Sequence, residues 1–449
     1  MYTPQPTLLL VVTGVLALSA PACSRDTTEA DTTTVARDPD RPVNVDLRPR
    51  TRLVRGPLPT SPAGLLAYVG ANGNLYVVDP ASGSTAQLTA DGSSAGTERG
   101  IFHAGMAWSR TGELAFARTD PETSESALFV TRPGDGETTQ IAEGGQLIYA
   151  SWSPAPCEAL QCSRLGVIVD ADGRAGGDVA FRVHEFAASF AGRPVLEDEA
   201  AQVYFAWSER GDRVVRHVLD TRQSLDEVDV ERGLTRRLEK SPGPFFAPSF
   251  SRGRLVYARA DVEGDELRVS VSADAVVAHV SRDTRRVAFA PSPDGLRLAI
   301  AVRRGPEETP ESAFDPIRVV DLASGEITVA GPTTLWTKAF YWSPDGGRLA
   351  YLTWLGNDVS TFNQWRIFDV AGGTDTGLAA FQPTATFSTL TSFFDQFSQS
   401  HSFWSPDGRY LAYAAVRAGK PQVWLLDTRA RPSRRLLIAD GVVAAFSWR

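Results

Sequence analysis

The sequence predicts an all-β fold built from repeated units of four short strands. Three observations support this prediction: a turn motif that recurs along the chain, a regular spacing between its copies, and two incomplete units at the ends of the repeat region. The two clearest copies read YWSPDGGRLAY at residues 341–351 and FWSPDGRYLAY at residues 403–413. Pro and Asp favour a tight turn, Gly accepts a positive φ, and the flanking aromatic and aliphatic residues favour strands. Each copy therefore predicts a strand, a turn and a second strand.

The copies can be followed by the residue that precedes each turn, which we call the anchor. Neighbouring anchors are 41 to 62 residues apart in the chain. A spacing of roughly 40–50 residues, with many short strands, is typical of a four-stranded propeller blade. The spacing thus predicts a β-propeller. The eight anchors are Trp108, Trp152, Trp207, Phe250, Pro291, Trp342, Trp404 and Trp448.

Each unit continues with strand-forming residues in the same order. A second strand follows the turn, as at residues 298–302, and a third ends near Asp, as at residues 317–321 and 423–427. A turn and a short fourth strand close the unit, as at residues 324–329. Because the alternation is blade-sized and turn signals are frequent, the sequence predicts no convincing amphipathic helix.

The two ends of the repeat region complement each other. Residues 445–449 read as an innermost strand that stops where its turn would begin, whereas residues 65–69, 74–79 and 87–89 supply only outer strands. Joining them completes the first blade, closes the ring and removes exposed sheet edges. The count is then eight blades. Seven is the alternative, because the motifs of the third to fifth units are degraded.

The motif WSPDG followed by LAY and by a strand ending in Asp resembles the repeat of TolB-type, WD40-like β-propellers of bacteria. The resemblance covers about residues 61–449. It implies the fold but little about activity, because such repeats occur in scaffolds, periplasmic binding proteins and propeller domains of peptidases. The N-terminal α/β domain of TolB itself is missing here, so the partners of TolB are not carried over.

The N-terminus predicts export. Residues 8–18 form a short apolar run, followed by Ala20, Pro21, Ala22 and Cys23, which is the pattern of a signal peptide over residues 1–22. The pattern resembles a bacterial lipoprotein signal, which implies lipidation of Cys23 and a membrane-anchored protein in the periplasm or at the cell surface. Ordinary secretion with an unmodified Cys23 is the alternative. Residues 23–60 are rich in Thr, Asp, Arg and Pro and predict a disordered tether.

Composition excludes some partners. The formal net charge is −8, whereas proteins that bind nucleic acids usually carry basic patches. No central stretch reaches the roughly 20 apolar residues of a membrane helix. We therefore expect contact with the membrane only through the N-terminal anchor, and we expect a monomer.

Motifs for chemistry are weak. Residues 92–96 match the letters of a hydrolase nucleophile elbow, but they lie in a polar loop without the required strand and helix. The five histidines do not stand at zinc-ligand spacing, and Asp170 and Asp172 lack the third ligand of a calcium loop. The sequence therefore predicts no enzyme, no metal site and no cofactor.

Two cysteines stand close together in the turn of the third unit. Cys157 and Cys162 are five residues apart, and in an exported protein such a pair favours a disulfide. Closing so small a ring clips the turn locally and adds only modest global stability. Two thiols are the alternative.

The long insertions between strands contain the residues that indicate a binding function. The long loops of units six to eight are predicted to emerge on the face opposite the Ser-Pro-Asp-Gly turns, and the longest, residues 387–401, alternates aromatic with polar residues. Aromatic surface with a few polar groups is typical of ligand pockets and of binding hot spots. Alternatively, its Phe residues plug the channel or cap blades seven and eight. The candidate binding residues are Trp354, Trp365, Phe393, Phe394, Asp395, Gln396, Phe397 and His401.

These features predict a non-catalytic, extracytoplasmic propeller that binds a protein or peptide partner through the loops of blades six to eight. The alternative is a propeller that binds or senses a glycan or small ligand on the same face, with aromatic side chains stacking on sugar rings. A third hypothesis is an enzyme in which Asp395 and His401 act as acid and base. Two residues without a nucleophile or metal define no reaction, which disfavours this hypothesis.

Overall fold

The chain forms antiparallel β-sheets throughout the part that the structure describes. The computed structural model describes residues 64–93, 102–120, 125–132, 138–143, 146–155, 162–170, 179–186, 192–200, 203–219, 223–239, 242–260, 266–271, 276–281, 285–303, 313–355, 362–430 and 432–448.

Five sheets each contain four strands that follow one another in the chain. Every neighbouring pair is antiparallel, as the predicted blade requires. The sheets are sheet 1 with β4 (Phe102–Trp108), β5 (Leu114–Asp120), β6 (Glu125–Thr131) and β7 (Thr138–Glu143); sheet 2 with β8 (Gln146–Trp152), β9 (Ser163–Asp170), β10 (Val179–Phe186) and β11 (Arg193–Ala200); sheet 3 with β12 (Val203–Trp207), β13 (Arg213–Val218), β14 (Ser224–Asp229) and β15 (Leu234–Glu239); sheet 4 with β16 (Ser249–Ser251), β17 (Arg254–Ala260), β18 (Glu266–Val271) and β19 (Val276–Ser281); and sheet 5 with β20 (Arg286–Pro291), β21 (Arg297–Arg303), β22 (Ile317–Asp321) and β23 (Ile327–Ala330).

The remaining ten strands form one continuous sheet. Two long strands, β27 and β30, connect its three parts, since each pairs with one neighbour at its start and with another at its end. We call the parts sheet 6, sheet 7 and sheet 8. Sheet 6 contains β24 (Thr337–Trp342), β25 (Arg348–Leu355), β26 (Phe362–Asp369) and β27 (Thr374–Pro383); sheet 7 contains β28 (Tyr410–Arg417), β29 (Lys420–Asp427) and the first half of β30 (Arg434–Phe446); sheet 8 contains the second half of β30 with β1 (Leu66–Gly70), β2 (Leu75–Val78) and β3 (Thr85–Gln87).

The last strand of the chain pairs with the first, as the incomplete end units predicted. In the antiparallel ladder Leu66 lies opposite Phe446 and Val69 lies opposite Val443. Beyond the strand, the amide of Ser447 donates to the carbonyl of Leu65 at 2.8 Å. The two ends of the repeat region are therefore held in one sheet.

The turn motif forms the predicted tight turn. In the copy around Ser343, the amide of Gly346 donates to the Ser343 carbonyl at 2.8 Å, and Gly346 has a φ of 67°. The Ser343 hydroxyl donates to Asp345, and the amide of Gly347 donates to the same carboxylate. The positive φ explains the glycine, because other residues adopt it only with strain.

Anchor tryptophans connect neighbouring sheets. The indole Nε1–H of Trp152 donates to the carbonyl of Ala107 in sheet 1 at 2.9 Å, and that of Trp207 donates to Ser151 in sheet 2 at 3.0 Å. Each acceptor is the residue before the anchor of the preceding unit, so one contact recurs along the chain. Trp342 and Trp404 continue the pattern to Ala290 and Tyr341.

The core follows the inner strands. All residues of β12 and β24 are buried, whereas the outer strands β15 and β23 are largely exposed. Within the described ranges, neither of the two short helices described below has the length and apolar character that crossing a membrane requires.

Candidate functional site

Residues 384–402, which we call the plug, differ from the sequence prediction, because they contain two helices, α1 (Ala385–Ser392) and α2 (Phe394–Phe397). The Thr384 hydroxyl caps α1 by accepting from the amide of Phe387. The sequence does carry a signal, since apolar residues stand at 387, 390, 394 and 397, the spacing of one helix face. The prediction of no convincing amphipathic helix was therefore wrong for this segment, whereas the alternative that its Phe residues plug the channel did not depend on helices.

The plug contacts the inner strands of most sheets. Its side-chain and backbone atoms meet β8 of sheet 2, β12 of sheet 3, the start of sheet 5 and β24 of sheet 6. The Thr384 hydroxyl reaches the carbonyl of Val442 in sheet 8 at 2.6 Å. A segment that touches strands from so many sheets must lie among their inner edges, in the central channel.

Gln396 fixes α2 to sheets 2 and 3. Its side-chain amide accepts from the amide of Phe205 and donates to the Phe205 carbonyl, both at 3.0 Å. The phenol of Tyr149 donates to the Gln396 carbonyl at 3.0 Å. Gln396 therefore pairs with the backbone N–H and C=O of Phe205 in an inner strand, as a residue of a neighbouring strand would.

Asp395 lies in a buried ion pair. Its carboxylate accepts from the guanidinium of Arg286 at 2.7 Å, and both side chains are almost completely buried. The guanidinium also covers the ring of Phe246, with its central carbon 3.7 Å from the ring centroid. Because its charge is neutralised inside the protein, Asp395 is held by Arg286 rather than exposed to a partner.

The Phe residues of the plug pack against sheet residues. Phe394 is fully buried, with its ring centroid 4.5 Å from that of Phe340. Phe397 meets Tyr149 edge to face at 5.3 Å, and Phe393 stacks on Phe246 at 6.0 Å. This is the arrangement of the alternative reading, in which these side chains fill the channel.

The two candidate tryptophans of sheet 6 are also buried. Trp365 is fully buried and packs 6.1 Å from Tyr341 and 6.4 Å from Phe387, measured between ring centroids. Trp354 lies opposite Asn363 in the ladder of β25 and β26, and its ring faces Lys338. The structure therefore brings Trp365 to the plug but does not expose either tryptophan.

His401 ends the plug with its ring buried. Its Nδ1 and the Ser400 hydroxyl are 2.8 Å apart. Burial lowers the pKa of His401 to about 4, so the ring is neutral near pH 7. A neutral His401 and an Asp395 held by Arg286 do not form a general acid and base pair.

A cavity of about 320 Å³ lies beneath the plug on the side of the repeated turns. Asp395, Ser398, Gln399 and His401 form its inner end. Three exposed charged residues, Arg110, Glu209 and Arg252, lie at its rim, so the cavity opens to solvent there. All eight anchors line it: Trp108, Trp152, Trp207, Phe250, Pro291, Trp342, Trp404 and Trp448.

The cavity is lined by both aromatic and polar side chains. All six anchor indoles already donate to backbone carbonyls. Serines line the cavity near the repeated turns, and near the plug the buried phenol of Tyr341 has no hydrogen-bond partner among the described residues. Burial, followed by the nearby negative charge of Asp395, raises the pKa of Tyr341, so the phenol keeps its proton. The cavity thus combines aromatic anchor side chains with polar groups on its walls and at its inner end.

Several predictions concern residues outside the described ranges. These are the signal peptide, Cys23, the tether, the loops at 304–312 and 356–361, and Cys157. Cys162, the predicted partner of Cys157, is fully buried next to β9. Within the described residues, no cluster of three or more His, Cys, Asp or Glu side chains is arranged to hold a metal ion.

No protein-family model and no curated protein matches the sequence. Among solved structures, TolB from Acinetobacter baumannii is 15% identical, with a TM-score of 0.36 over 77% of this chain and 82% of its own. An oligogalacturonate lyase in complex with manganese is 13% identical, with a TM-score of 0.47 over 84% and 98%. An acylaminoacyl peptidase from Pyrococcus horikoshii is 10% identical, with a TM-score of 0.46 over 76% and 52%.

These likenesses concern the fold alone and give no activity to this chain. The fold itself is established by the repeated turn motif, the four-stranded antiparallel sheets and the recurring anchor contacts. By these features the chain has the fold of a β-propeller.

Proposed function

We propose that the chain is a non-catalytic, extracytoplasmic propeller that binds a protein or peptide partner at the end of the channel where the cavity opens. One observation carries the proposal: all eight repeat anchors line a single cavity with aromatic walls and an exposed, charged rim. Aromatic walls with a polar rim are typical of binding hot spots. The partner is expected to insert a side chain or a chain end.

At the opposite end of the channel the plug fills the space, and this supports the proposal. Phe394, Asp395, Gln396, Phe397 and His401, expected from the sequence to form the binding surface there, are buried by the inner strands. They are therefore not available to a partner as a continuous surface. For this reason we propose that the rim residues and the cavity recognise the partner. The plug supports the inner end of the cavity.

The proposal includes a closed ring of eight blades. Sheet 8 is completed by the second half of β30, and the indole of Trp108 in sheet 1 donates to the carbonyl of Ala445 at 3.3 Å. The indole of Trp448 donates to the Trp108 carbonyl at 2.8 Å. These contacts join the last residues to sheet 1 and support closure. An experimental map with seven blades would contradict the count.

The absence of catalysis is part of the proposal. At the inner end of the cavity, Asp395 is held by Arg286, His401 is neutral near pH 7, and Tyr341 keeps its proton. General acid–base catalysis needs a group whose pKa lies near the working pH and that reaches the substrate. The pKa of His401 and that of Tyr341 are shifted away from pH 7, and the carboxylate of Asp395 is engaged by Arg286.

Export is proposed from the N-terminal sequence. The apolar run at residues 8–18 and the small residues before Cys23 favour cleavage and lipidation there. Mass spectrometry of the mature N-terminus tests this part, because a lipid on Cys23 adds a defined mass.

A glycan or small ligand is the second candidate. The cavity volume lies at the lower end of the roughly 300–1,000 Å³ range of ligand pockets, and tryptophan faces suit sugar rings. A sugar carries hydroxyls around its ring, however, whereas the indole donors of the walls are already used. Recognition of a sugar at this site would therefore depend on the serine and charged side chains of the lining rather than on the indoles.

Site-specific photocrosslinking tests the proposal in cells that express the full chain. A photoreactive residue at Glu209, on the rim, is expected to capture a defined protein, whereas one at Val329, exposed on the outer strand β23, is not. Equal capture at both positions would contradict a site at the cavity. Capture at neither, together with a melting-temperature shift by a soluble glycan, would favour the second candidate.

A further inference from the structure

Lys338 is a buried lysine for which the described residues supply no counter-ion. It is one of only three lysines in the chain, it is 0% exposed, and it sits at a bulge between Thr337 and Ala339 in β24. Its ammonium donates to the Ser388 hydroxyl of α1 at 2.7 Å and lies 4.5 Å from the centroid of the Trp354 ring. Within the described ranges, no carboxylate forms an ion pair with it.

An unpaired ammonium in the interior is costly. A buried charge is ordinarily paired, because the protein interior does not replace the water that it loses. Burial alone lowers the pKa of Lys338 to about 7, so a large share of its amines carry the charge at neutral pH. The charge needs a partner that the described part of the chain does not supply.

Two further polar groups beside Lys338 have no hydrogen-bond partner among the described residues. Asn363 is 0% exposed, and neither atom of its amide makes a hydrogen bond. It lies directly opposite Trp354 in the ladder, so both side chains project from the same face of sheet 6. Buried polar groups are almost always hydrogen-bonded, so an unsatisfied amide indicates a bound species.

Trp365 completes the group. It follows Asn363 by two residues on β26, which places both side chains on one face of the sheet. The Trp365 side chain is 0% exposed, and its Nε1–H has no acceptor. An ammonium, an amide NH₂ and an indole N–H therefore share one face of sheet 6, against α1.

We propose that a small monovalent anion, such as chloride, binds between Lys338, Asn363 and Trp365. An anion accepts from all three donors and also neutralises the ammonium, whereas water satisfies the donors without supplying charge. The nearest described acidic group of the plug, Asp395, is already paired with Arg286. The bound anion stabilises the charged form of Lys338. The Lys338 ammonium in turn donates to the Ser388 hydroxyl and so connects α1 to sheet 6.

Thermal unfolding of the full-length protein tests the proposal. Sodium gluconate is replaced stepwise by sodium chloride at constant ionic strength near pH 7. A ligand that binds only the folded state raises the melting temperature in a saturable way. We expect chloride to raise the melting temperature by a few degrees, and we expect Lys338→Met to abolish this rise.

Lys420→Met is the matched control. Lys420 is an exposed lysine on β29, so its replacement removes the same charge from the chain but leaves the proposed site intact. The control is expected to keep the full response to chloride. No response in the wild type, or an equal response in Lys338→Met, would overturn the proposal.

Crystals of the wild-type protein grown with sodium bromide provide a second measurement that does not depend on a variant. An anomalous peak within hydrogen-bond distance of Lys338 Nζ and of an Asn363 or Trp365 nitrogen is the expected result. Density without anomalous signal at this position would show ordered water and would overturn the proposal.

Discussion

Each anchor tryptophan contacts a backbone carbonyl through its indole N–H group. Trp152, for example, is buried, and its Nε1–H donates to the Ala107 carbonyl of the neighbouring sheet. Removing this donor deprives a buried carbonyl at the contact between two sheets of a hydrogen bond. Such contacts explain why the motif carries Trp more often than Phe at this position.

Replacing Trp152 by Phe is expected to lower the free energy of unfolding by about 1–3 kcal/mol, because a buried acceptor loses its donor. Urea unfolding followed by circular dichroism measures the change. The matched control is Trp336→Phe, since Trp336 is 43% exposed, and its replacement is expected to change stability by less than about 0.5 kcal/mol. Equal effects of both changes would contradict the role of the indole donor.

Lys338 gives a prediction about alkaline pH. Because burial lowers its pKa to about 7 from 10.5, the unfolded chain holds a proton between these values that the folded chain has released. The unfolding free energy of the wild type, relative to Lys338→Met, is therefore expected to rise from pH 7 to pH 9.5 by up to about 1.4 kcal/mol per pH unit.

Urea unfolding in gluconate buffer, where no halide is present, measures this difference. A constant difference between wild type and variant over this range would contradict the depressed pKa. In chloride the slope is expected to be smaller, because a bound anion favours the charged amine.

Among the elements, the two helices of the plug are those that the sequence did not predict. Turns such as Ser343–Gly346 are predictable because Pro, Asp and Gly fix them locally. The helices of the plug depend on partners far away in the chain, including Tyr149, Phe205 and Arg286. The same limit applies to the bulge at Lys338, which only the strand pairing reveals.

The ion pair at the inner end of the plug is expected to be sensitive to single changes. Arg286→Met removes the partner of the buried Asp395 carboxylate, which should cost about 3–5 kcal/mol. Adding Asp395→Leu removes the orphaned charge as well, so the double variant should recover most of this loss. A double-mutant cycle in urea measures the coupling, and additive losses would contradict the ion pair.

At the scale of the whole molecule, the order of the blades was readable from the sequence, but the location of the cavity was not. The spacing of the anchors predicts repeated units because each blade must bury its own strands. Which end of the channel stays open depends on where residues 384–402 pack, and the pattern of those residues permits either a surface loop or a plug. Burial of Phe394 and Phe397 decided between them.

Acid is expected to destabilise the whole propeller. Burial lowers the pKa of His184, His217 and His401 to about 4 from 6.5. Between these values the unfolded chain binds protons that the folded chain does not, so the stability present above pH 6.5 is lost as the pH falls to 4. Each histidine contributes up to about 1.4 kcal/mol per pH unit within this window.

Urea unfolding at pH 7, 6 and 5 measures this loss. His217→Phe is a suitable comparison, because the His217 ring already stacks on Phe245 at 4.1 Å, and this variant should show a shallower pH dependence. Stability that stays level from pH 7 to pH 5 would contradict burial of the neutral rings.

Binding at the cavity is the central claim, and a single anchor offers its most direct test. Pro291 occupies an anchor position where most copies have Trp, so Pro291→Trp should fit the repeat while its indole fills part of the cavity. The measurement is the yield of the crosslinked partner from a photoreactive residue at Glu209, with and without this change. The account predicts that Pro291→Trp reduces the yield at least about tenfold, a loss of about 1.4 kcal/mol in binding, with the melting temperature retained. An unchanged yield in the folded variant would contradict it.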